Sequence, residues 1–564
     1  MLTFGGMGTM MSVSHVRKIS LLLAFTAITS CGGSNNTQPA TNNASNPTIV
    51  APPPAESGLT FSKRTESFGL SHSAEFSETY DEMPSQFGGG AASGDIDGDG
   101  DIDVFVTRGD TQSNLLFINE NGQFTEVAEN RGLAFPKNGT ENYKLSGPSF
   151  ADIDGDGDLD LFIGGLQGDP SLLFQNNGQG SFTDVTQGSG LDLMTSKNTL
   201  SVDFGDYDKD GDLDLAMAHW GTPRDRLSPG ETETLWRNDS TAAQIQFTAV
   251  SAAAGISDEL DLDIDGVLGV NYDYTFSPNF SDINDDGFLD LLSVGDFTGS
   301  QVFMNNQDGT FSNVTDKTQI SDSNGMGSAV GDYDNDGDND WFVSSIDGNR
   351  LYENMDGTLI DVSAEAGIIS GSWGWGSCFA DFDADGHLDI FQTNGWVNNS
   401  GSNPNEPYTE DLSRLWISDS EGQFFNKADD FNIIDTKQGR GVICSDFDDD
   451  MDVDVLLLIN NDTEGAILWE NELTDSNAII IKVTGPSPNT DAIGAKILLK
   501  TGDLTQMRDV TIGSNFTSHN PSRQFFGLGD MSMIDELTIT WPDGTQSIQT
   551  NVNANQVLNI IYPN

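Results

Sequence analysis

Along most of the chain, apolar residues come in short runs of four to six, each opening on an aspartate and closing on a polar or small residue. "DVFVT" (103–107), "DLFIGG" (160–165), "DLAMAH" (214–219), "DLLSVG" (290–295), "DWFVSS" (340–345), "DIFQTN" (389–394) and "DVLLLIN" (454–460) are seven such runs. They are too short for helices, rich in β-branched and aromatic residues, and bounded by turn-forming residues, so they predict strands. A second phrase follows them, as in "NLLFINENGQFTEVAENRGL", "SLLFQNNGQGSFTDVTQGSGL", "QVFMNNQDGTFSNVTDKTQI" and "RLYENMDGTLIDVSAEAGI". It reads as a strand, an Asn/Gly turn and another strand opening on an aromatic or apolar residue. One unit is therefore three or four antiparallel strands.

Before every strand run lies an acidic loop: "DIDGDGDID", "DIDGDGDLD", "DYDKDGDLD", "DINDDGFLD", "DYDNDGDND", "DFDADGHLD" and "DFDDDMDVD". Successive loops start 57, 54, 76, 50, 49 and 65 residues apart. Seven units of this length predict an all-β, seven-bladed β-propeller over 59–474, since a parallel β-helix would need far shorter periods. The early phrase "LTFSKRTESFGL" (59–70) has the outer-strand pattern but precedes the first loop, and the seventh unit lacks such a phrase. The early strand is thus expected to complete the last blade and leave no open edge.

The loops carry the candidate chemistry. Position 1 is Asp95, Asp152, Asp206, Asp282, Asp332, Asp381 and Asp446, and position 3 is Asp97, Asp154, Asp208, Asn284, Asp334, Asp383 and Asp448. Position 5 is Asp99, Asp156, Asp210, Asp286, Asp336, Asp385 and Asp450. Alternating carboxylates converge on one point only if the chain curls around it, and the glycine at position 6 permits that turn. Hard oxygen ligands in this number suit calcium better than magnesium. An EF-hand is excluded: position 12 is Val106 or Ile163 in the first two loops, and the flanks are strands. The closing ligand is instead position 9, which is Asp103, Asp160, Asp214, Asp290, Asp340, Asp389 and Asp454. Position 7 lends a main-chain carbonyl from Asp101, Asp158, Asp212, Phe288, Asp338, His387 and Asp452. In the last loop Met451 stands where the others have glycine, which makes that site the weakest of about seven. A further "DLDIDG" at 261–266 has Gly269 at its position 9 and is not counted as a site.

The loops with their "NxxGxFxDVT" phrases resemble FG-GAP/VCBS repeats, the calcium-loop blades also found in integrin α-subunit propellers. From Asn477 the loops stop. The runs "NAIIIKV", "AKILLKT", "MRDVTIG", "DELTITW" and "NQVLNIIY" predict a small antiparallel β domain over 475–564. Its phrases "DAIGAKILL", "RQFFGLG" and "LTITWPDG" resemble the ASPIC/UnbV domain. Propeller followed by this domain is the order of the cartilage acidic protein 1 family. The resemblance implies a secreted, calcium-binding, interaction-mediating protein with no defined biochemical activity.

The 88 acidic against 24 basic residues give a net charge of −64, which repels nucleic acid and anionic membrane surfaces. At the N-terminus, Met11 to Ser30 has a basic start and an apolar run of export-signal length, too short to span a membrane. It ends in "ITSCGG", a lipobox-like sequence with Cys31 as the residue to be lipidated, and a polar, Pro-rich tether (31–58) follows. A bacterial outer-membrane or surface lipoprotein is expected, touching the membrane only through this anchor. Cys378 and Cys444 sit at different offsets before their loops and are expected as buried small hydrophobes rather than a disulfide.

The functional class stays open between two readings. One is a binding or adhesion module for an unknown protein or glycan; the other is a polysaccharide hydrolase or lyase working in the propeller channel. No nucleophile elbow or zinc-protease motif occurs. His219 beside Trp220 reads as packing. Trp373, Trp375 and Trp396 read first as aromatics between blades, and second as a stacking platform for a glycan. The Arg-Gly-Asp at 108–110 reads as coincidence.

Overall fold

Each acidic loop is the turn of a hairpin, and the register shows why. The computed structural model describes residues 58–77, 84–138, 141–225, 230–241, 244–257, 261–262, 270–346, 348–396, 408–460, 462–513 and 515–563. In the first sheet Ala91–Gly94 pairs antiparallel with Asp103–Val106 across the loop, and Leu115–Glu120 and Gln123–Glu126 follow outward. The same order recurs from the inner strands Leu145–Ala151, Thr199–Gly205, Thr275–Ser281, Gly325–Gly331, Gly374–Ala380 and Gly439–Ser445. Among the described residues seven such four-stranded sheets occur, and each inner strand packs on those of its two neighbours, the seventh against the first. The architecture is a closed β-propeller.

The seventh sheet takes its outer strand from the start of the described chain. Phe61–Lys63 pairs with Ala466–Asn471, Phe61 opposite Asn471 and Lys63 opposite Trp469. Phe61 is buried, and Arg64 just beyond is paired with Glu470 and Glu472. The strand expected to complete the last blade does so.

The apolar runs are buried on both faces because each blade is sandwiched between two others. Phe105 and Leu116 of the first sheet, for example, pack against Phe150, Leu161 and Phe174 of the second. Inner strands are rich in Gly, Ala and Ser, which lets seven backbones crowd round one axis.

The C-terminal domain has two sheets. One joins Leu504–Asp509, Lys496–Thr501, Met533–Thr540 and Gln546–Asn553, all antiparallel. The other joins Gln524–Gly529, Asn477–Thr484 and Val557–Ile561, and here the last pair is parallel, with Ile480 opposite Val557. The all-antiparallel expectation thus fails for one pair. The domain's core, including Ile479, Ile497, Leu537 and Trp541, runs without a break into the gap between the second and third blades at Phe162 and Val202.

The expectation for the cysteines is overturned: Cys378 and Cys444 form a disulfide, with Cα atoms 6.5 Å apart. Their strands are inner neighbours in blades six and seven. Side chains alternate between the two faces of a strand, and the residues lie three and two positions before their loops. The unequal offset turns one forward and the other backward, so they meet in the gap between blades. The export segment, Cys31, the tether and most of 261–266 lie outside the described residues. Among the described residues no helix is long and apolar enough to cross a membrane.

Candidate metal centres and the axis of the ring

Within the loops the carboxylates converge as the alternation requires. Single carboxylate oxygens of Asp95, Asp97 and Asp99 lie within 4.8 Å of one another, as do those of Asp152, Asp154 and Asp156. The same holds for Asp206, Asp208 and Asp210, for Asp332, Asp334 and Asp336, and for Asp381, Asp383 and Asp385. In the fourth loop Asn284 takes the middle place and accepts the N–H of Asp286 at 3.0 Å.

The loop's own amides fix this shape. Position 1 accepts the N–H groups of positions 5 and 6: Asp282 from Asp286 (3.1 Å) and Gly287 (2.8 Å), Asp381 from Asp385 (3.0 Å) and Gly386 (2.9 Å). Position 5 accepts from position 7, as Asp99 does from Asp101 at 3.0 Å. Met451 adopts φ +75° and gives its N–H to Asp446 at 3.1 Å, so the seventh loop keeps the turn despite its side chain. Position 7 carboxylates can turn to the outer strands: Asp101 accepts from Asn121 N at 2.8 Å and the buried Asp452 from Leu473 N at 2.9 Å. His387 likewise sends its ring sideways, its Nδ1 3.1 Å from Asn335 Nδ2.

Position 9 has a second duty that the sequence did not disclose. Asp103 is fully buried and accepts the N–H of Ile96 (3.1 Å) and of Asn119 in the third strand (2.8 Å). Asp214, Asp290, Asp340, Asp389 and Asp454 repeat this pair of bonds, and Asp160 makes the second of them. The third-strand partner is asparagine in six blades. Its amide clasps the preceding blade: Asn119 reaches Phe447 O (2.8 Å), Asn176 Ile96 O (2.9 Å), Asn238 Ile153 O (2.9 Å) and Asn305 Tyr207 O (2.8 Å). Asn354 reaches Ile283 O (2.8 Å), and Asn471 reaches Phe382 O (2.9 Å). Blade six has Ser418 instead, and there Asn335 of the fifth loop crosses to Gly386 O at 3.1 Å. The signal was the Asn at the end of the third strand, before a Gly turn in four of the six blades, which reads as turn chemistry alone. Asn354→Leu strands two buried carbonyls, Ile283 O and Asn339 O, and should cost about 2–3 kcal/mol in urea unfolding. A loss below about 0.5 kcal/mol, the range of an uninvolved position, would remove the clasp role.

The loops call for a positive charge. Burial lifts Asp103 to about 8, Asp340 to about 9, and Asp152, Asp206 and Asp332 to about 7. Buried oxygens of Asp97, Asp160, Asp206, Asp332 and Asp446 have no hydrogen-bond donor. Orphaned, desolvated, convergent carboxylate oxygens are the donor set of a hard cation.

The axis of the ring is filled. Residues 515–520, from the C-terminal domain, enter it from the loop side. His519 N bonds Ala91 O (3.0 Å) in blade one, and His519 Nδ1 lies 3.1 Å from Ser149 Oγ in blade two. Thr517 N bonds Ser201 Oγ (2.9 Å) in blade three, and Asn515 O accepts Ser277 Oγ (3.5 Å) and Ser328 N (2.9 Å) in blades four and five. Asn515 Nδ2 reaches Val442 O (2.8 Å) in blade seven, and Phe516 meets Trp375 of blade six, ring centroids 5.3 Å apart. At blade seven the fit is tight: a Cβ on Gly441 would lie 2.0 Å from Ser518 Oγ. Burial lowers His519 to about 3, so it stays neutral.

Beyond Phe516 the axis continues as aromatics. Phe87, Phe276 and Trp375 pack together, and the buried Arg440 guanidinium sits 4.2 Å from the Trp375 ring. Trp375 is therefore core. Trp373 and Trp396 are half-buried and stack at 4.6 Å and 9°. They lie where blade six's inner strand begins and its second strand ends, which the antiparallel register puts on the face away from the loops. His219 is fully buried between Thr199 Oγ1 (3.1 Å) and Glu233 O (2.9 Å), which is packing. Arg108 and Asp110 are tied to Ser73 and Ser77.

Comparison with known proteins agrees with this division. FG-GAP-like repeats match residues 95–163, 152–217, 282–343 and 332–391, and the ASPIC and UnbV family matches 485–564. Cartilage acidic protein 1 of Homo sapiens is 26% identical over 525 residues, covering 86% of this chain and 73% of its own. That of Xenopus tropicalis is 23% identical over 529 residues, covering 86% and 75%. Among solved structures, an Agrocybe aegerita lectin described as recognising non-reducing terminal N-acetylglucosamine has a TM-score of 0.37 at 17% identity. It covers 60% of this chain and 79% of its own.

Proposed function

We propose that this chain, which carries FG-GAP-like repeats followed by an ASPIC and UnbV domain, is an exported calcium-binding propeller that acts as a binding module for a protein or glycan. The observation that carries the reading is the filled axis. A channel enzyme needs a cleft in which acid and base groups converge on substrate, and that space is taken by Phe87, Phe276, Trp375 and Phe516. What the ring offers a partner is surface. On the face away from the loops the Trp373–Trp396 stack, with Tyr274 and the 40% exposed Phe297, suits the flat face of a sugar ring or an apolar side chain.

Calcium is favoured over magnesium because each loop offers several protein oxygens, more than magnesium ordinarily takes from protein. Export is supported by the Met11–Ser30 segment with Cys31, and by a disulfide, which persists in oxidising compartments. The test is a glycan and protein binding screen of the chain from Gly32 onward, with and without calcium, beside Trp373→Ala and Trp396→Ala. Calcium-dependent capture that either variant abolishes is expected. A silent screen, or capture that ignores both variants, overturns the reading.

A further inference from the structure

The C-terminal domain does not merely sit on the loop face; its polar groups go to the aspartates that would hold cations. The Thr490 hydroxyl donates to Asp152 Oδ2, and Gly527 N donates to Asp381 Oδ2 at 3.1 Å. Lys482 Nζ lies 3.3 Å from Asp95 Oδ2. All three are position 1 residues, from loops one, two and six. Of the domain's five cationic side chains, four face the loops, two of them at position 4 aspartates beside the ligand set. Lys482 serves loop one, Lys496 meets Asp285 of loop four at 2.6 Å, and Arg523 meets Asp449 of loop seven at 3.5 Å. Arg508, buried, lines one cavity with Asp381 of loop six and Asp446 of loop seven.

A carboxylate ligand is held in place by donors on its remaining lone pairs, and losing one such outer-shell partner typically costs about 10- to 100-fold in metal affinity. Lysine and arginine do not compete with the ion here. A loop with four or five carboxylates remains negative after binding one divalent cation, so the domain's positive charges still gain from it. A ring drawn tight at its loops also shapes the socket that residues 515–520 fill. Both arguments give coupling of one sign: ion binding favours docking, and docking favours ion binding by the same factor.

We propose that the C-terminal domain is the outer coordination shell of the propeller's acidic loops, so that its docking and the loops' cation binding form one linked equilibrium. This rests on the calcium reading of the loops. The test titrates calcium into the full chain by calorimetry and follows amide exchange of 515–520 with and without the ion. Thr490→Val removes one donor and changes no ligand; it should weaken one site of the set about 10- to 100-fold. Phe516→Ala alters only the axis and should weaken several sites together. In the unmodified chain, calcium should slow exchange at 515–520. If that chain binds calcium but both variants titrate like it and exchange is unmoved, the linkage is wrong while the calcium reading stands. If it binds no calcium, the calcium reading itself falls. Should Phe516→Ala fail to fold, Thr490→Val and the exchange comparison decide alone.

Discussion

Excess EDTA should lower the melting temperature of the chain by roughly 3–10 °C, and millimolar calcium should restore it. Extracellular-type sites with dissociation constants of about 0.1–1 mM each contribute about 0.4–1.4 kcal/mol at 1 mM free ion. Seven independent sites therefore contribute about 3–10 kcal/mol, comparable with the whole stability of a domain. For a folded unit of this size the unfolding entropy converts each kcal/mol into about 1 °C. Without the ions, carboxylates such as Asp103 and Asp340 are left buried with two backbone N–H donors each and no positive charge to oppose their desolvation. Differential scanning calorimetry checks the shift, with a magnesium arm to separate size selectivity from charge. A melting temperature unmoved by EDTA would end the calcium reading for all seven loops.

The loops were legible because carboxylates at every second residue leave the chain one arrangement that brings them together. Ring closure was legible from phase alone, since 59–70 carries an outer-strand pattern that precedes any loop and the seventh unit lacks one. Other features left weaker traces. Met451 stands where a glycine is expected, yet the turn's hydrogen bond to Asp446 holds it at positive φ. Asn238 and its counterparts look like turn residues, because nothing local says that an amide will cross to the neighbouring blade. The segment 511–520, "TIGSNFTSHN", has no apolar period. Its described residues are held by hydrogen bonds to six inner strands and a ring contact to the seventh, all far away in sequence, and only the assembled ring makes sense of it. No pattern within 475–564 says which face of the ring the domain covers; that follows from where its few cations find carboxylates.

Replacing Cys378 and Cys444 with serine together should be the most damaging change outside the loops, costing up to about 4 kcal/mol. The bond closes a loop of 66 residues in sequence, and the entropy it removes from the unfolded chain scales with the logarithm of that length. The location adds to this. Both side chains are buried among Phe382, Phe391, Val442 and Val455, so two serine hydroxyls would enter an apolar gap. The paired alanine variant separates the two effects, keeping the loss of the cross-link without the buried hydroxyls. Blade seven is also where the ring is completed by a strand from the other end of the chain, the three-residue strand Phe61–Lys63 with the Arg64 ion pairs beside it. Loosening its junction with blade six therefore weakens closure as well as one interface. Chemical unfolding of both variants beside the oxidised and the reduced parent should place reduced parent and alanine variant close together, both well below the oxidised chain. Equal stability of oxidised and reduced parent would mean that the clasps and the filled axis already hold the ring and the bond contributes nothing further.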